Sequence, residues 1–505
     1  MKPIRNVLCK LYCGKRSTAF LALSAATALA LQAQTFTTAY SFDGQTANSP
    51  VAGLLQGTDG NLYGTTSEYG GRGVGAVFKI TPTGTLTTLY RFCVQTSCTD
   101  GLGPLAGLIQ ATDGDFYGTT AGGGAGYIGG GTVFKITPTG ILTTLYSFCS
   151  QINCTDGANP VAGLVQAANG DFYGTTSLGG ANCPPFGCGT IFKITPSGAL
   201  TTLYSFCSES GCTDGQSPFG GLIQASDGDL YGTTNGDGTH YGTIFKITPS
   251  GSLTTLHGFC HPYAYPTCTE GTHPSGGLIQ ATNGDLYGTT EGGGANCAPA
   301  GCGTIFKINM SGDLTTLYSF CAQANCADGE APVVGLVQAT DGNLYGTTPR
   351  GGINSSFCNV TCGTAFKITP SGAFATLHSF CSENNCPDGY LPSAVPVQDT
   401  DGNLYGTTEF GGANLYGTVF SLSVGLGPFV ETQTTSGKVG TKVKILGTSL
   451  TGATSVTFNG TLAQFEVAST SEIIAIVPAG ATTGTVQVAL PSGTLSSNVP
   501  FRVLL

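Results

Sequence analysis

The tetrapeptide Tyr-Gly-Thr-Thr occurs seven times in this chain, and its regular spacing limits the folds that the sequence can form. The copies begin at Tyr63, Tyr117, Tyr173, Tyr231, Tyr287, Tyr345 and Tyr405. Consecutive copies are 54 to 60 residues apart. Repeats of this length are typical of architectures in which each unit buries its apolar face against its neighbours. The chain is therefore expected to be a repeat protein.

Each repeat contains four short runs with β-strand character. In the fourth repeat these runs are Gly221–Ala225, Asp229–Thr234, Thr243–Thr248 and Ser252–Phe259. Asp227-Gly228 and Ser250-Gly251 separate the runs, and tight hairpin turns prefer such pairs because glycine tolerates positive φ. Four antiparallel strands in each of seven repeats predict an all-β fold, a seven-bladed β-propeller over residues 34–424.

The two ends of the repeat region predict how the propeller closes. The seventh repeat stops after its third run, Thr418–Ser423, and a run of the missing fourth type, Thr35–Phe42, stands before the first repeat. We expect this N-terminal strand to complete the last blade, because pairing there removes an open sheet edge.

Loop lengths predict which face binds. In a four-stranded meander, the loop between the second and third strands and the connection to the next blade lie on one face. Nearly all the length variation falls in these loops, and so do nine cysteine pairs. We call this the cysteine-rich face. Variable loops on a rigid scaffold commonly carry binding sites, so this face is the predicted binding surface.

Residues 1–33 have the pattern of an export signal. Five of the 18 Lys and Arg residues precede the uncharged run Ser17–Leu31, and no Asp or Glu occurs before Asp43. That run is shorter than the roughly 20 residues of a membrane-spanning helix. We expect a secreted or cell-surface protein, with the periplasm as the alternative and no membrane span in the mature chain.

Eighteen of the 20 cysteines form close pairs. The pairs are Cys93–Cys98, Cys149–Cys154, Cys183–Cys188, Cys207–Cys212, Cys260–Cys268, Cys297–Cys302, Cys321–Cys326, Cys358–Cys362 and Cys381–Cys386. Short local pairs on an exported chain predict disulfides. The rival is zinc, since two neighbouring pairs could converge and their spacing does not exclude a metal. Export favours disulfides, so no metal site is expected.

Charge excludes one class of partner. Without residues 1–33 the chain carries 13 basic and 28 acidic residues. Such an acidic protein repels phosphate backbones, which argues against a nucleic-acid partner.

The connection between repeats carries an acidic residue before glycine. The positions are Asp43, Asp100, Asp156, Asp214, Glu270, Asp328 and Asp388. Seven carboxylates on one face could form a ring that binds Ca²⁺. We prefer the interpretation that these residues form turns. Apart from Ca²⁺ in such a ring, no cofactor is expected.

The longest of the connecting cysteine loops, Cys260–Cys268, carries aromatic rings. The candidate ligand-binding residues in and around it are His261, Tyr263, Tyr265, His273, His240 and Tyr241. Amphipathic rings in a disulfide-stiffened loop suit recognition of a sugar or a peptide.

No nucleophile elbow, HExxH or phosphate loop occurs, so no catalytic residues are predicted. We expect a non-catalytic protein that binds an extracellular polysaccharide or another envelope component, with its oligomeric state undetermined. The alternatives are a surface scaffold for an envelope protein, and a propeller lyase or hydrolase that uses His261, His273 or His240.

Two resemblances extend these predictions. Asp341–Thr348, followed by Gly363–Ile368, resembles the GloVer tandem repeat of exported bacterial proteins across residues 35–424. That resemblance implies export and no established chemistry.

After a short linker at residues 425–427, the sequence contains neither cysteine nor the Tyr-Gly-Thr-Thr motif. The runs Gly437–Gly447, Val456–Gly460 and Ile476–Gly484 resemble an IPT/TIG domain over residues 428–505. This resemblance implies an immunoglobulin-like sandwich with a spacer or adhesion role and no catalytic residues. We expect it to act as a spacer or docking unit.

Overall fold

A computed structural model describes residues 34–45, 47–68, 73–126, 129–236, 241–260, 268–297, 301–353 and 362–504. The predicted export signal lies outside these ranges. Within them, no helix is long and apolar enough to cross a membrane.

The described part of the repeat region forms seven four-stranded antiparallel sheets. The first sheet contains β2 (Leu55–Gln56), β3 (Leu62–Thr66), β4 (Ala76–Ile80) and β5 (Leu86–Arg91). The second contains β6 (Ile109–Gln110), β7 (Phe116–Thr120), β8 (Thr132–Ile136) and β9 (Leu142–Ser147). The third contains β10 (Val165–Gln166), β11 (Phe172–Thr176), β12 (Thr190–Ile194) and β13 (Leu200–Ser205).

The remaining sheets repeat this order. The fourth contains β14 (Ile223–Gln224), β15 (Leu230–Thr234), β16 (Thr243–Ile247) and β17 (Leu253–Gly258). The fifth contains β18 (Ile279–Gln280), β19 (Leu286–Thr290), β20 (Thr304–Ile308) and β21 (Leu314–Ser319). The sixth contains β22 (Val337–Gln338), β23 (Leu344–Thr348), β24 (Thr364–Ile368) and β25 (Phe374–Ser379). The seventh contains β26 (Val397–Gln398), β27 (Leu404–Thr408), β28 (Thr418–Ser423) and β1 (Thr35–Ser41).

In the part of the chain that the structure describes, short 3-10 helices follow the fourth strand of four sheets. They span Thr96–Cys98, Ile152–Cys154, Ser210–Cys212 and Ala324–Cys326. The seventh sheet takes its outer strand from the N-terminal segment, because β1 pairs antiparallel with β28. The fold is therefore all-β and propeller-like.

The repeated tetrapeptide serves the sheets in three ways, shown here for the first copy. Tyr63 donates its hydroxyl to Asp59 in the preceding turn, at 2.8 Å. A Cβ on Gly64 would lie 2.6 Å from the Phe78 ring, so this strand packs closely only with glycine there. Thr65 donates its hydroxyl to the carbonyl of Ala106, which precedes the first strand of the second sheet, at 2.9 Å. The motif thus links turn, strand and neighbouring sheet.

Apolar cores lie between consecutive sheets. In one of them, Tyr63 and Phe92 of the first repeat pack with Phe116 and Phe134 of the second. Another joins the seventh sheet to the first, where Phe42 and Val419 share a core with residues of the first sheet that include Leu54, Leu62 and Phe78.

Two further four-stranded sheets and one parallel strand pair make up the C-terminal region, residues 428–504. The first of these sheets contains β29 (Val430–Thr432), β31 (Lys442–Gly447), β35 (Glu472–Ile476) and β34 (Phe465–Val467). The second contains β33 (Thr461–Leu462), β32 (Ser455–Phe458), β36 (Val486–Leu490) and β37 (Gly493–Ser496). The parallel pair consists of β30 (Ser436–Lys438) and β38 (Arg502–Leu504). Both sheets contribute to one buried core, which includes Ile445 and Val488.

The C-terminal region lies against the turns between the first and second strands of the repeats, which we call the turn face. Its hydrogen bonds to this face include those from Gln433 to Ala111 (2.9 Å), from Ser471 to Thr58 (2.8 Å), from Phe429 to Thr400 (3.1 Å) and from Arg502 to Ser226. A spacer or a docking unit was expected here, and these bonds show the region in contact with the repeats. Gly402 explains part of the close approach, since a Cβ there would lie 2.4 Å from the Leu426 carbonyl oxygen.

Candidate functional site

The cysteines on the cysteine-rich face lie in the predicted pairs wherever the structure describes both partners. The eight disulfides are Cys93–Cys98, Cys149–Cys154, Cys183–Cys188, Cys207–Cys212, Cys260–Cys268, Cys297–Cys302, Cys321–Cys326 and Cys381–Cys386. Cys358, a partner in the ninth predicted pair, lies outside the described residues.

Among the described residues, one disulfide lies directly against another in two places. The third-sheet cluster contains Cys183, Cys188, Cys207 and Cys212, and the fifth-sheet cluster contains Cys297, Cys302, Cys321 and Cys326. In each cluster all four sulfur atoms lie within 4.8 Å of one another. The convergence of neighbouring pairs that the sequence left open therefore occurs twice in the part of the chain that the structure describes.

The acidic residues between repeats are bonded within their own loops. Asp156 is fully buried and accepts hydrogen bonds from the Tyr146 hydroxyl (2.9 Å) and the Ser150 N–H (3.0 Å). Asp100, Asp214 and Asp328 are buried with equivalent bonds. Carboxylates held in this way act as turn-forming residues. Asp43, by contrast, is exposed.

Two of these acids face histidine where the other repeats have tyrosine. Asp388 lies 2.8 Å from His378 Nε2, and Glu270 lies 3.4 Å from His257 Nε2. The adjacent His257 ring lowers the pKa of Glu270. A carboxylate therefore faces an aromatic ring at this position, whether the ring belongs to tyrosine or to histidine.

Of the predicted ligand-binding residues, the structure brings Tyr241 and His273 together. Their rings meet edge to face with centroids 5.9 Å apart, and the His273 N–H donates to the Tyr241 carbonyl at 2.8 Å. Burial lowers the pKa of His273, which favours its neutral form. His240, His261, Tyr263 and Tyr265 lie outside the described residues.

A central cavity of about 1170 Å³ runs between the seven sheets and the C-terminal region. Its wall is formed by the residues that precede the first strand of every sheet, together with first-strand residues of the fourth to seventh sheets. Glycine occupies one wall position in six of the seven repeats: Gly53, Gly107, Gly163, Gly221, Gly277 and Gly335. A Cβ on Gly335 would lie 2.5 Å from the Gly277 carbonyl oxygen, so glycine lets neighbouring strands approach closely around the cavity.

The cavity opens on the cysteine-rich face through a largely apolar ring. The ring residue follows a proline in every repeat, and the seven are Val51, Leu105, Val161, Phe219, Ser275, Val333 and Ser393. Leu105 is 38% exposed and Phe219 is 42% exposed, so this end meets solvent.

Polar groups cluster on one side of this opening, at the fourth and fifth repeats. Asn235 donates its side-chain amide to the Ser275 hydroxyl at 2.7 Å, and Glu291 lines the cavity beside them. The Glu291 N–H donates to the His273 carbonyl at 3.0 Å. The predicted residues Tyr241 and His273 are thereby connected to the cavity mouth.

The opposite end of the cavity is covered by the C-terminal region. Glu431, Thr435 and Arg502 line it there. Burial raises the pKa of Glu431 to about 7, and no ion pair to it occurs among the described residues. A carboxyl group so placed is available to a polar group of a ligand that reaches this end.

A glutamine at the end of each first strand also borders this region, but its amide is used within the fold. Gln280, for example, accepts the Ser226 N–H at 2.8 Å and donates to the Gly284 carbonyl at 3.0 Å. The glutamines therefore connect neighbouring sheets.

The seventh repeat departs from this pattern at Asp399, where five other repeats have alanine. Asp399 is 7% exposed and accepts a hydrogen bond from Gln56 Nε2 at 2.9 Å. Burial, with a smaller effect of the nearby Asp401 charge, raises the pKa of Asp399 to about 7.

The cap over the cavity could not be seen in the sequence, because it depends on how the C-terminal region docks. No sequence motif marks Glu431 as a residue of a cavity. The apolar ring did leave a signal, since a residue directly after proline recurs once per repeat at the start of the first strand.

Comparisons with known structures found matches of low sequence identity. The extracellular domain of a protein described as a hybrid two component system from Bacteroides thetaiotaomicron is 12% identical, with a TM-score of 0.45, and the match covers 94% of this chain. This chain spans 59% of that extracellular domain's length. A protein of unknown function from the same organism is 13% identical, with a TM-score of 0.38, and the match covers 77% of this chain and 76% of the other. A luciferin-regenerating enzyme is 11% identical, with a TM-score of 0.39, and the match covers 79% and 98%.

Sequence comparison with curated proteins gave no match. A repeat family model does match, over residues 24–213, 94–268 and 263–474. These overlapping matches include every copy of Tyr-Gly-Thr-Thr and most of the chain. The chain belongs to the Gloeobacter/Verrucomicrobia repeat family.

Proposed function

We propose that this protein is an exported, non-catalytic binding protein that takes the end of a neutral extracellular glycan into its central cavity from the cysteine-rich face. The cavity of about 1170 Å³, open between Leu105 and Phe219 and capped near Glu431, is the observation that carries the proposal. Ligand sites combine apolar walls with a few convergent polar groups, and this cavity has both.

The polar groups fit hydroxyl-rich ligands. Asn235 and Ser275 offer donors and acceptors at the mouth, Glu291 offers a carboxylate, and Phe219 offers an apolar ring face. Aromatic rings with adjacent polar groups suit sugars, which have one apolar face and many hydroxyls. The excess of 28 acidic over 13 basic residues after the leader disfavours anionic glycans.

The scaffold for this site would be a closed seven-bladed β-propeller. The pairing of β1 with β28 and the core shared by Phe42 and Leu54 support closure. The C-terminal region would be an IPT/TIG domain of immunoglobulin-like fold, and the shared core of its two sheets supports this assignment.

Export is supported by the disulfides. Eight pairs close loops on one face, and structural disulfides persist in oxidising compartments. Such bonds would keep the loops around the cavity mouth in shape outside the cell.

A second candidate is a surface scaffold for an envelope protein. Four apolar side chains on loops of the cysteine-rich face are largely exposed: Val94 (60%), Ile152 (77%), Phe186 (75%) and Ile353 (62%). A partner protein that covers several of these loop tips at once would bury their apolar side chains together, as protein-binding surfaces do.

A binding experiment distinguishes the two candidates. The oxidised chain from residue 34 is tested on neutral glycans and on envelope protein fractions, together with Phe219→Ala and Phe186→Ala. Glycan binding in the cavity should weaken by about tenfold or more in Phe219→Ala and stay unchanged in Phe186→Ala, whose side chain lies on a loop away from the mouth. Loss of protein capture in Phe186→Ala alone would favour the scaffold. Glycan turnover would overturn the non-catalytic assignment.

A further inference from the structure

The third-sheet and fifth-sheet clusters offer chemistry beyond the proposed binding function. We propose that each cluster, when its two disulfides are reduced, binds one Zn²⁺ through four cysteine thiolates. The oxidised chain holds the same sulfurs as two adjacent disulfides.

The positions of the sulfur atoms suit a tetrahedral metal. A Zn–S bond of about 2.3 Å places neighbouring sulfurs of a tetrathiolate site roughly 3.8 Å apart. In both clusters the four sulfurs already lie within 4.8 Å of one another. Rotation of the cysteine side chains can therefore form the site on the existing backbone.

The two loops of each cluster are held together by groups other than the sulfurs. Asn182 donates its side-chain amide to the carbonyls of Ser205 and Phe206, at 3.1 and 2.9 Å. Asn296 makes the same two bonds at the same distances in the fifth sheet. These bonds connect the loop between the second and third strands to the end of the fourth strand. The cysteine pairs would thus stay adjacent after reduction.

The second sheet provides a natural contrast. Its Cys149–Cys154 pair has the same spacing and follows the same strand. The loop at residues 121–131 contains no cysteine, so only two sulfurs are available there. Two thiolates do not complete a structural zinc site, which normally has four protein ligands.

One neighbour distinguishes the two clusters. Gln216 is 6% exposed, and its amide lies 3.3 Å from the Cys188 sulfur. A flipped amide would donate its N–H to a thiolate and stabilise the negative charge of the zinc site. The corresponding residue of the fifth repeat is Glu330, which has no such donor. The third-sheet cluster should therefore bind zinc more tightly.

A phosphine can supply the electrons that reduce the two disulfides of each cluster. Each phosphine gives two electrons to one disulfide and becomes a phosphine oxide with oxygen from water, and the two sulfurs take up protons. Two such steps yield four thiols per cluster. Zn²⁺ then replaces the four thiol protons, so zinc affinity rises with pH.

The test uses the whole chain, reduced with phosphine under anaerobic conditions and titrated with Zn²⁺ against a chromophoric chelator. Co²⁺ as a substitute ion reports sulfur ligands through its charge-transfer bands and tetrahedral geometry through its visible bands. The variant Cys183→Ser/Cys188→Ser should bind one Zn²⁺ fewer than the parent chain. The control Cys149→Ser/Cys154→Ser, which removes a disulfide without a neighbour, should bind the same number.

Gln216→Glu serves as a milder variant that keeps every sulfur. It should weaken zinc binding at the third-sheet cluster by about tenfold, in line with other residues that contact metal ligands. Equal zinc loss in both double variants, cobalt spectra without sulfur charge transfer, or no tight zinc binding by the reduced chain would overturn the proposal.

Discussion

The backbone N–H of Thr400 donates to Gln56 Oε1 at 3.1 Å, and this hydrogen bond joins the seventh sheet to the first across 344 residues of sequence. The same glutamine donates to Asp399 at 2.9 Å. Both ends of the Gln56 amide are therefore used at the contact between the first and last sheets.

Gln56→Leu should lower the free energy of unfolding by about 3 kcal/mol, because it leaves a buried N–H and a buried carboxyl group without their partner. Gln166→Leu is the matched control, since Gln166 makes the equivalent bonds between the second and third sheets but is only half-buried. Denaturant unfolding of both variants tests this. Equal losses of unfolding free energy in the two variants would show that the contact between the first and last sheets contributes no more to stability than the contact between the second and third.

The raised pKa of Asp399 predicts how stability depends on pH. A carboxyl group whose pKa is about 7 in the folded chain and near 4 when unfolded binds its proton more tightly in the folded state. The free energy of unfolding should therefore fall as the pH rises from about 4 to about 7, by at most about 4 kcal/mol from this group. Glu431, with its pKa also raised to about 7, should add to the fall.

Asp399→Asn should remove part of this slope, and adding Glu431→Gln should remove most of the rest. Unfolding by urea at several pH values between 4 and 8 measures the slope. Asp227 provides the control, because its lowered pKa affects stability only at more acidic pH. An unchanged slope in Asp399→Asn would mean that this carboxyl group titrates normally in the folded chain.

Asp156→Ala should destabilise the protein strongly, whereas Asp43→Ala should have little effect. Asp156 is fully buried and accepts hydrogen bonds from the half-buried Tyr146 hydroxyl and from the Ser150 N–H, so its loss removes the acceptor around which this loop is built. We expect a loss of about 3 kcal/mol for Asp156→Ala and less than about 0.5 kcal/mol for the exposed Asp43. Thermal unfolding with and without Ca²⁺ tests both the stability and the cation interpretation. Stabilisation by Ca²⁺ that disappears in Asp156→Ala would favour the cation ring.

Much of the repeat architecture could be predicted because each repeat presents the same pattern. Turn residues such as Asp227-Gly228 marked the hairpins, and the displaced run beginning at Thr35 indicated the pairing of β1 with β28. A pattern repeated seven times averages out the local ambiguity that a single short strand would have.

The cavity was harder to predict because it depends on contacts that the sequence does not encode locally. The position of Glu431 at the covered end follows from how the C-terminal region meets the turn face. Tyr241 and His273 were chosen for their chemistry, and their connection to the mouth runs through a backbone hydrogen bond from Glu291. Backbone contacts of this kind leave no trace in residue type.

The last prediction concerns the docking of the C-terminal region on the turn face. Gln433 and Ser471 bond to backbone carbonyls of the second and first repeats, at 2.9 and 2.8 Å. The double variant Gln433→Ala/Ser471→Ala removes both bonds and should weaken docking by about 2 kcal/mol. The linker at residues 425–427 should then be cleaved faster by a protease, because it is held against Gly402 only in the docked arrangement.

Thr494→Ala, an exposed change on β37, is the control and should leave the cleavage rate unchanged. Equal rates in all three proteins would mean that other contacts, such as the Phe429 N–H bond to Thr400, are sufficient to hold the region in place.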